Sequence, residues 1–460
     1  MIRRLLIVNR GEIALRVVRA ARELGMVSIV AHSEADADSL AVEQADEAVC
    51  IGPAQAARSY LNSEAVLAAA KAVGADAVHP GYGFLSENAD FARAVAAAGL
   101  VFVGPDAGII ERMGDKAMAR QTAIEAGVPV VPGSPRAVND TREALAVAEG
   151  VGFPLLIKAA AGGGGRGIRV AENAAALQSQ LPMAQAEARS AFGDDRVYLE
   201  RFIARARHIE VQVLGDGQRA IHLFERECSL QRRRQKVFEE SPSPALDAPT
   251  REALCRSAVA LAEHVGYFGA GTLEYLYDDR TGEFFFIEMN TRIQVEHPIT
   301  EAVTGIDLVR EMLRLARGEP LRHAQDDIVG RGWAIEMRIN AEDPDNGFFP
   351  SPGRVERLVW PAGPGVRIDS GLYEGYRMPP FYDSLVAKLI VWDECRESAL
   401  ARAARALDEF QLAGFATTAR LHRQLVEDPC VRRGEVDTGF LERWLAHRPA
   451  SNPTEEEVVS

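Results

Sequence analysis

The chain has 460 residues, enough for about three domains at roughly 150 residues each. Apolar residues make up 47 % and charged residues 26 %, ordinary globular proportions that exclude wholesale disorder, collagen and a coiled-coil rod. The net charge of −14 argues against a nucleic-acid partner, and no apolar run approaches the roughly 18 residues of a membrane span, so no membrane partner is expected.

The first hundred residues alternate strand and helix signals. Leu5–Val8 reads as a buried strand, Glu12–Leu24 as a helix with Ile13, Val17, Ala21 and Leu24 on one face and Gly25 as its stop, and Val27–Ala31 as a strand. Ser63–Gly74, Ala75–His79, Asn88–Gly99 and Val101–Val103 continue as helix, strand, helix, strand. Such alternation with short loops predicts an open parallel sheet over residues 1–114. The turn Asn9–Ala14 has one Gly rather than GxGxxG, so dinucleotide binding is not supported.

Beyond Lys116 the pattern becomes α+β. A helix over about 116–127 and the turn Val131–Pro135 lead to another helix and the strand Pro154–Lys158. A glycine loop, the strand Ile168–Ala171, a helix over Ala174–Ala191 and the strands Val197–Phe202, His208–Leu214 and Ala220–Glu225 follow. A third region opens near Trp333, with strands at Ala334–Ile339, Val355–Val359 and Leu385–Val391 and helices at Ser398–Phe410 and Thr418–Leu425. The tail 448–460, with three consecutive Glu, carries no core pattern and reads as flexible.

Cysteine and lysine usage are both informative. Five Cys with no CxxC spacing argue against a disulfide framework or zinc ribbon. The run Leu5–Val8, ended by Asn9-Arg10, is far too short for a signal-peptide core, so a cytoplasmic location is expected. Of 52 basic residues only five are Lys, namely Lys71, Lys116, Lys158, Lys236 and Lys388. Lys is a compact point charge and Arg a planar fork, so positions that kept Lys are candidates for sites requiring an ammonium.

Three stretches carry chemistry. In Lys158–Gly167 four consecutive Gly let backbone N–H groups curl around an anion, with Lys158 beside them, although the P-loop Gly-Lys-Ser/Thr is absent. The alternative is an ordinary hairpin loop. In the hairpin 272–290, pairing Asp278 with Phe284 sets Glu274 opposite Glu288, two carboxylates that repel unless a divalent cation lies between them. Oxygen ligands select Mg²⁺ or Mn²⁺ over zinc. Finally Glu288, Asn290, Arg292, Gln294 and Glu296 occupy alternate positions, which in extended chain places a metal ligand, an anion contact and a general base on one face. The bland reading is the solvent face of an amphipathic strand. The basic run Gln231–Lys236 fits an intramolecular anion site, and Arg338, in an apolar strand, either pairs with Glu336 or Glu342 or points into a site.

The segments His79–Asn88, Met113–Lys116, Cys228–Glu240 and Glu288–Pro298 resemble the signatures of biotin-dependent carboxylases. Over about residues 1–447 the chain resembles their biotin carboxylase component, an ATP-grasp enzyme. The resemblance implies an α/β and α+β protein. A Rossmann-like N-terminal domain (1–114) would precede an ATP-grasp domain (115–330) with a mobile lid over about 132–203, then a C-terminal domain (331–447). It implies ATP-dependent carboxylation of biotin by bicarbonate through carboxyphosphate, as the first half-reaction of an acyl-CoA carboxylase, with acetyl-CoA the expected acceptor.

Carried over by matching position, Lys116, Lys158 and His208 would contact ATP, with Gly164 and Gly165 over the phosphates. Glu200, Arg201, Phe202 and Ile203 would hold adenine through the strand edge, and Gln231 and Arg234 would lie near the nucleotide. Glu274, Glu288 and Asn290 would ligate Mg²⁺ or Mn²⁺. Lys236, Arg292, Gln294 and Val295 (by its backbone) would hold bicarbonate, which Glu296 would deprotonate. Arg338 and Arg292 would stabilise the biotin enolate, and Tyr82 and Asp383 would shape the biotin pocket. Three positions depart from the common pattern: Arg234 for His or Asn, Ala161 for Gly, and Arg201 for Lys.

No Met is followed by Lys, so biotin is expected on a separate biotin carboxyl carrier protein, with a separate carboxyltransferase and a homodimeric chain. Another ATP-grasp carboxylate ligase and a non-catalytic nucleotide-binding regulator are the alternatives.

Overall fold

The computed structural model describes residues 2–159 and 168–447. Ala161, Gly164, Gly165 and the tail 448–460 lie outside the described residues.

The opening strand–helix alternation becomes a five-stranded parallel sheet of β1 (Arg4–Ile7), β2 (Val27–Ser33), β3 (Glu47–Gly52), β4 (Ala77–His79) and β5 (Val101–Phe102), in the order β3-β2-β1-β4-β5. The helix α1 (Gly11–Glu23) buries Ile13, Val17 and Ala21 in a core with Leu5, Ile7, Leu308 and Met312. β3 was invisible to periodicity because it is an edge strand with only Ile51 buried. The strand order reverses between β1 and β4, the place where open α/β sheets bind ligands. There Gly81 adopts φ +63°, and a Cβ on it would lie 2.7 Å from Asn9 Nδ2. Glycine permits that approach, and the Asn9 amide donates to the carbonyls of Pro80 (2.7 Å) and Tyr82 (2.8 Å), fixing the loop that carries Tyr82.

Residues 129–206 and 277–287 form one compact unit. Its antiparallel sheet contains β6 (Leu155–Ala159), β7 (Ile168–Ala171) and β8 (Val197–Arg201), in the order β7-β6-β8. The helices Thr141–Val151 and Ala174–Phe192 supply Ala144, Ala148, Leu177 and Leu181 to a core with Leu155, Ile157 and Leu199.

The rest of the described chain forms the other unit. Besides β1–β5, its strands are β9 (Ala206–Asp216), β10 (Ala220–Arg232), β11 (Gln235–Ser241), β12 (Phe268–Asp278), β13 (Phe284–Asn290), β14 (Trp333–Asn340), β15 (Glu342–Asp343), β16 (Phe349–Pro350), β17 (Arg357–Val359), β18 (Val366–Ser370), β19 (Leu385–Asp393) and β20 (Gln411–Ala413). Eight of them form one sheet in the order β13-β12-β9-β10-β11-β14-β19-β18, while β15–β16 and β17–β20 are separate ladders. The large sheet therefore runs across the boundary expected at residue 330.

Two local results differ from expectation. β13 ends at Asn290, and the chain turns before the helix His297–Thr304, so the alternating polar residues to Glu296 do not share an extended face. The hairpin mouth closes with Asp278 N–H on the Glu283 carbonyl (2.8 Å), one residue before the expected Phe284. Gly282, at φ +74°, supplies the turn conformation that a side chain rarely adopts.

Candidate active site

Three strands of the large sheet and the turn after β13 bring a cation and three carboxylates together. Lys236 on β11 donates from Nζ to Glu210 (2.5 Å, β9), Glu274 (2.9 Å, β12) and Glu296 (2.7 Å). Burial disfavours the ammonium, but the three carboxylates outweigh it and hold its pKa well above the usual value. Glu296, 2 % exposed, ends the turn after β13 and receives Arg338 Nη2 at 2.8 Å on its other oxygen. Burial pushes its carboxyl up, but Lys236, Arg338 and Arg226 push harder and leave it ionised, well below the normal range.

Arg338 also donates from Nε to Glu239 (2.6 Å), so its partners are Glu239 and Glu296 rather than Glu336 or Glu342. Pairing across strands decides this: Glu239 faces Glu336 in the β11–β14 register, beside Arg338. Arg292 donates to Glu87 (2.8 Å) and to Asn290 Oδ1 (2.9 Å). Gln294 donates to Glu274 (2.9 Å), as does Asn290 (2.9 Å). His208 Nε2 meets Glu274 at 2.8 Å, and its Nδ1 meets the Gln231 amide at 3.0 Å. An amide N–H on Nδ1 places the ring proton on Nε2, facing the carboxylate. Burial lowers the His208 pKa, but Glu274 more than compensates and raises it.

The expected metal ligands Glu274, Glu288 and Asn290 fall in one region. The Glu288 carboxyl is pushed up first by burial and next by the Glu274 carboxylate, so these two groups do repel. A hard divalent cation relieves that repulsion, and the all-oxygen donor set suits Mg²⁺ or Mn²⁺. A second cluster, His208, Glu210 and Cys228, has potential ligand atoms within 4.8 Å of one another. Burial holds the Cys228 thiol protonated, and a His–Cys–carboxylate cluster is not the all-oxygen set expected.

Arg226, absent from the sequence-level candidates, is wholly buried behind these residues. Nε donates to Glu210 (2.6 Å), Nη1 to Gln212 (2.7 Å) and Thr300 (2.9 Å), and Nη2 to Thr272 (3.1 Å) and Gln294 (2.8 Å). All five guanidinium N–H groups are satisfied. The available signal was the alternation of His208, Glu210 and Gln212 with Ile209, Val211 and Val213, a polar face in a strand whose other face is apolar.

The basic run disperses rather than forming one anion patch. Gln231 and Lys236 point inward as described, Arg232 lies over the Phe348 ring (3.8 Å), and Arg233 N–H bonds Glu442 (2.9 Å). Arg233 and Arg234, at φ 48° and 67°, form the two-residue turn closed by Arg232 and Gln235, so Arg234 is exposed at a hairpin tip. Lys116 is exposed on the helix Lys116–Glu125.

In the smaller unit Lys158 contacts the Glu200 carboxylate and Arg201 pairs with Glu283 at 3.1 Å. Arg201 N–H bonds the Pro132 carbonyl (2.8 Å) and Phe202 N–H bonds the Pro154 carbonyl (3.0 Å). Those two donors are therefore engaged within the protein, which narrows the expected adenine contact to other backbone groups around Glu200 and Ile203. Ile203 is buried.

Tyr82, on the loop after β4, donates its hydroxyl to Glu12 at the start of α1. Asp383 is exposed, 4.0 Å from Arg10.

Three family models cover most of the chain. The N-terminal domain of biotin carboxylase matches residues 1–110, the ATP-binding domain of the carbamoyl-phosphate synthase L chain matches 115–324, and the C-terminal domain of biotin carboxylase matches 336–443. The chain is 51 % identical to biotin carboxylase 1 of Bacillus subtilis, over 96 % of this chain and 99 % of that one. It belongs to the biotin carboxylase family.

The Pseudomonas aeruginosa biotin carboxylase is 52 % identical, covering 97 % of this chain and 99 % of its own length. Among solved structures, the biotin carboxylase domain dimer of the Hydrogenobacter thermophilus 2-oxoglutarate carboxylase, in complex with MgADP, ADP and bicarbonate, superposes with a TM-score of 0.87. It is 46 % identical, covering 96 % of this chain and 98 % of that one. The biotin carboxylase matches flank the ATP-binding segment on both sides, which separates this chain from other ligases that share only that segment. Among the described residues no helix is long and apolar enough to cross a membrane.

Proposed function

We propose that this member of the biotin carboxylase family uses ATP and bicarbonate to carboxylate biotin presented on a separate carrier protein. The observation that carries the reading is Glu296, ionised and buried between Lys236 and Arg338 on a turn shared with Gln294 and Val295.

Lys236, Arg292, Gln294 and the Val295 backbone bind and orient bicarbonate. The incoming anion competes with Glu296 for Lys236 and with Glu87 for Arg292, because those carboxylates now occupy the same donors. As Lys236 turns to bicarbonate, Glu296 loses one of the cations holding its pKa down and becomes a stronger base. Glu296 then removes the bicarbonate proton, and the oxygen attacks the γ-phosphate to give carboxyphosphate and ADP. Lys116, Lys158, His208, Gln231 and Arg234 act on ATP, with Glu200, Arg201, Phe202 and Ile203 around adenine. Glu274, Glu288 and Asn290 would hold a divalent cation, which would supply neutralisation of phosphate charge. Arg338 steadies the biotin ureido oxygen as negative charge develops, and Tyr82 lines the biotin pocket.

The domain division near residues 114 and 330 follows from the same reading. The homodimer is supported by the dimeric 2-oxoglutarate carboxylase relative. The carboxyltransferase is a separate partner that selects the acyl acceptor, for which acetyl-CoA and fatty acid synthesis are our assignment, and the cytoplasm is the proposed location. ADP release with Mg²⁺ tests the activity. It is expected to require bicarbonate and to rise with free biotin, and turnover indifferent to both overturns the reading.

A further inference from the structure

Lys388 is the one lysine of the five that is wholly buried and unused by the mechanism above. It sits mid-strand in β19, between Arg338 of β14 and Asp369 of β18 in direct register. Residues opposite one another in an antiparallel sheet project to the same face, so Arg338 and Lys388 stand side by side. They hold successive residues of one turn. Arg338 donates to the Glu296 carboxylate at 2.8 Å, and Lys388 Nζ donates to the Val295 carbonyl at 3.0 Å.

The same ammonium lies 3.0 Å from Glu12 Oε1, the atom that accepts the Tyr82 hydroxyl, and 3.8 Å from Asp369. A continuous path of polar contacts therefore leads from Tyr82 through Glu12 and Lys388 to the Val295–Glu296 peptide. It crosses the sheet's switch point, since Glu12 follows β1 and Tyr82 follows β4.

We propose that Lys388 is a positioning residue for bicarbonate: it fixes the Val295–Glu296 peptide and ties that turn, through Glu12, to the Tyr82 loop. Because a peptide unit is planar, holding the Val295 carbonyl also sets the direction of the Glu296 N–H and the position of its Cα. The single ammonium, wholly buried, reaches both oxygens as a compact point charge. The inference rests on the reading that Val295 and Glu296 serve bicarbonate.

The test is steady-state ADP formation by the full chain, with KM measured separately for bicarbonate and ATP and folding checked by thermal melting. Wild-type dependence on bicarbonate tests the parent reading. If that holds, Lys388→Met should raise KM for bicarbonate about tenfold, the loss of one charge-assisted hydrogen bond, with KM for ATP unchanged. A merely structural lysine would lower the melting temperature and leave the KM ratio alone, and that result overturns the inference. If Lys388→Met does not fold, Glu12→Gln and Tyr82→Phe decide: each should raise KM for bicarbonate selectively, and an unchanged value in both rejects the coupling.

Discussion

Lys236 Nζ and Glu296 Oε1 meet at 2.7 Å, so the cation assigned to draw in bicarbonate and the carboxylate assigned to deprotonate it neutralise each other in the free protein. The pair keeps Glu296 ionised and unprotonated until an anion arrives.

Glu296→Gln preserves shape and removes the base. We expect kcat to fall by about two to four orders of magnitude, the usual range for a general base, while nucleotide binding persists. Rapid-quench ADP formation and displacement of a fluorescent nucleotide measure the two. An unchanged kcat rules out the role.

Lys236 serves acceptors on two strands and a turn from a single nitrogen, a task suited to a compact point charge rather than a planar fork. Lys→Arg at 116, 158 or 236 should each lower kcat/KM by about tenfold or more. Lys71→Arg, on the exposed side of the helix Ser63–Ala72, should be silent. Equal effects at all four positions would show that ammonium geometry is irrelevant.

Removing Arg226 takes the guanidinium partner from one oxygen of Glu210, a carboxylate with no solvent access that is left with Lys236 alone. Arg226→Met should cost about 3–5 kcal/mol of unfolding free energy, typical of breaking a buried ion pair from one side. Urea titration reads this directly, and a loss below about 1 kcal/mol, the scale of an exposed pair, contradicts the buried network.

His422 is buried and its Nε2–H donates to the Arg338 carbonyl at 2.7 Å. Burial pulls its pKa from 6.5 down to about 4, so in this window the unfolded chain binds the extra proton. Stability therefore rises from pH about 4 to about 6.5 and levels off above, with a contribution of about 3 kcal/mol that disappears on acidification. Unfolding free energies between pH 4 and 8 should show a shallower acid slope for His422→Gln than for the wild type. Identical slopes would remove His422 from the acid transition.

The parallel sheet was legible because each of its principal strands is an apolar run and each helix carries a stripe of period 3.6. Alternation misled at 291–296, where polar residues two apart mimic a strand although the chain turns. Side chains of that stretch nevertheless converge, because β9, β11 and β12 bring Glu210, Lys236 and Glu274 to it. The family segments contain Lys236, Arg292 and Glu296, and pairing of the hairpin pointed to Glu274. They left out Arg226 and gave no partner to Glu87 or Glu239, although both lie within the quoted segments, because those contacts depend on which parts of the chain become neighbours. The partners of Arg338 were left open for the same reason, since separation along the chain says little about distance across a sheet. The Arg233-Arg234 turn lacked any Asn or Gly to announce it.

The saturation of Arg226 has a consequence for how such a protein can be altered. Five donors are committed to five acceptors on β9, β12, the turn before the helix His297–Thr304 and that helix itself. Exchanging any one acceptor for a hydrocarbon strands a buried N–H. A redesign of the anion pocket must therefore proceed in blocks of compensating changes, and stepwise drift through single substitutions meets a barrier at each member of the set.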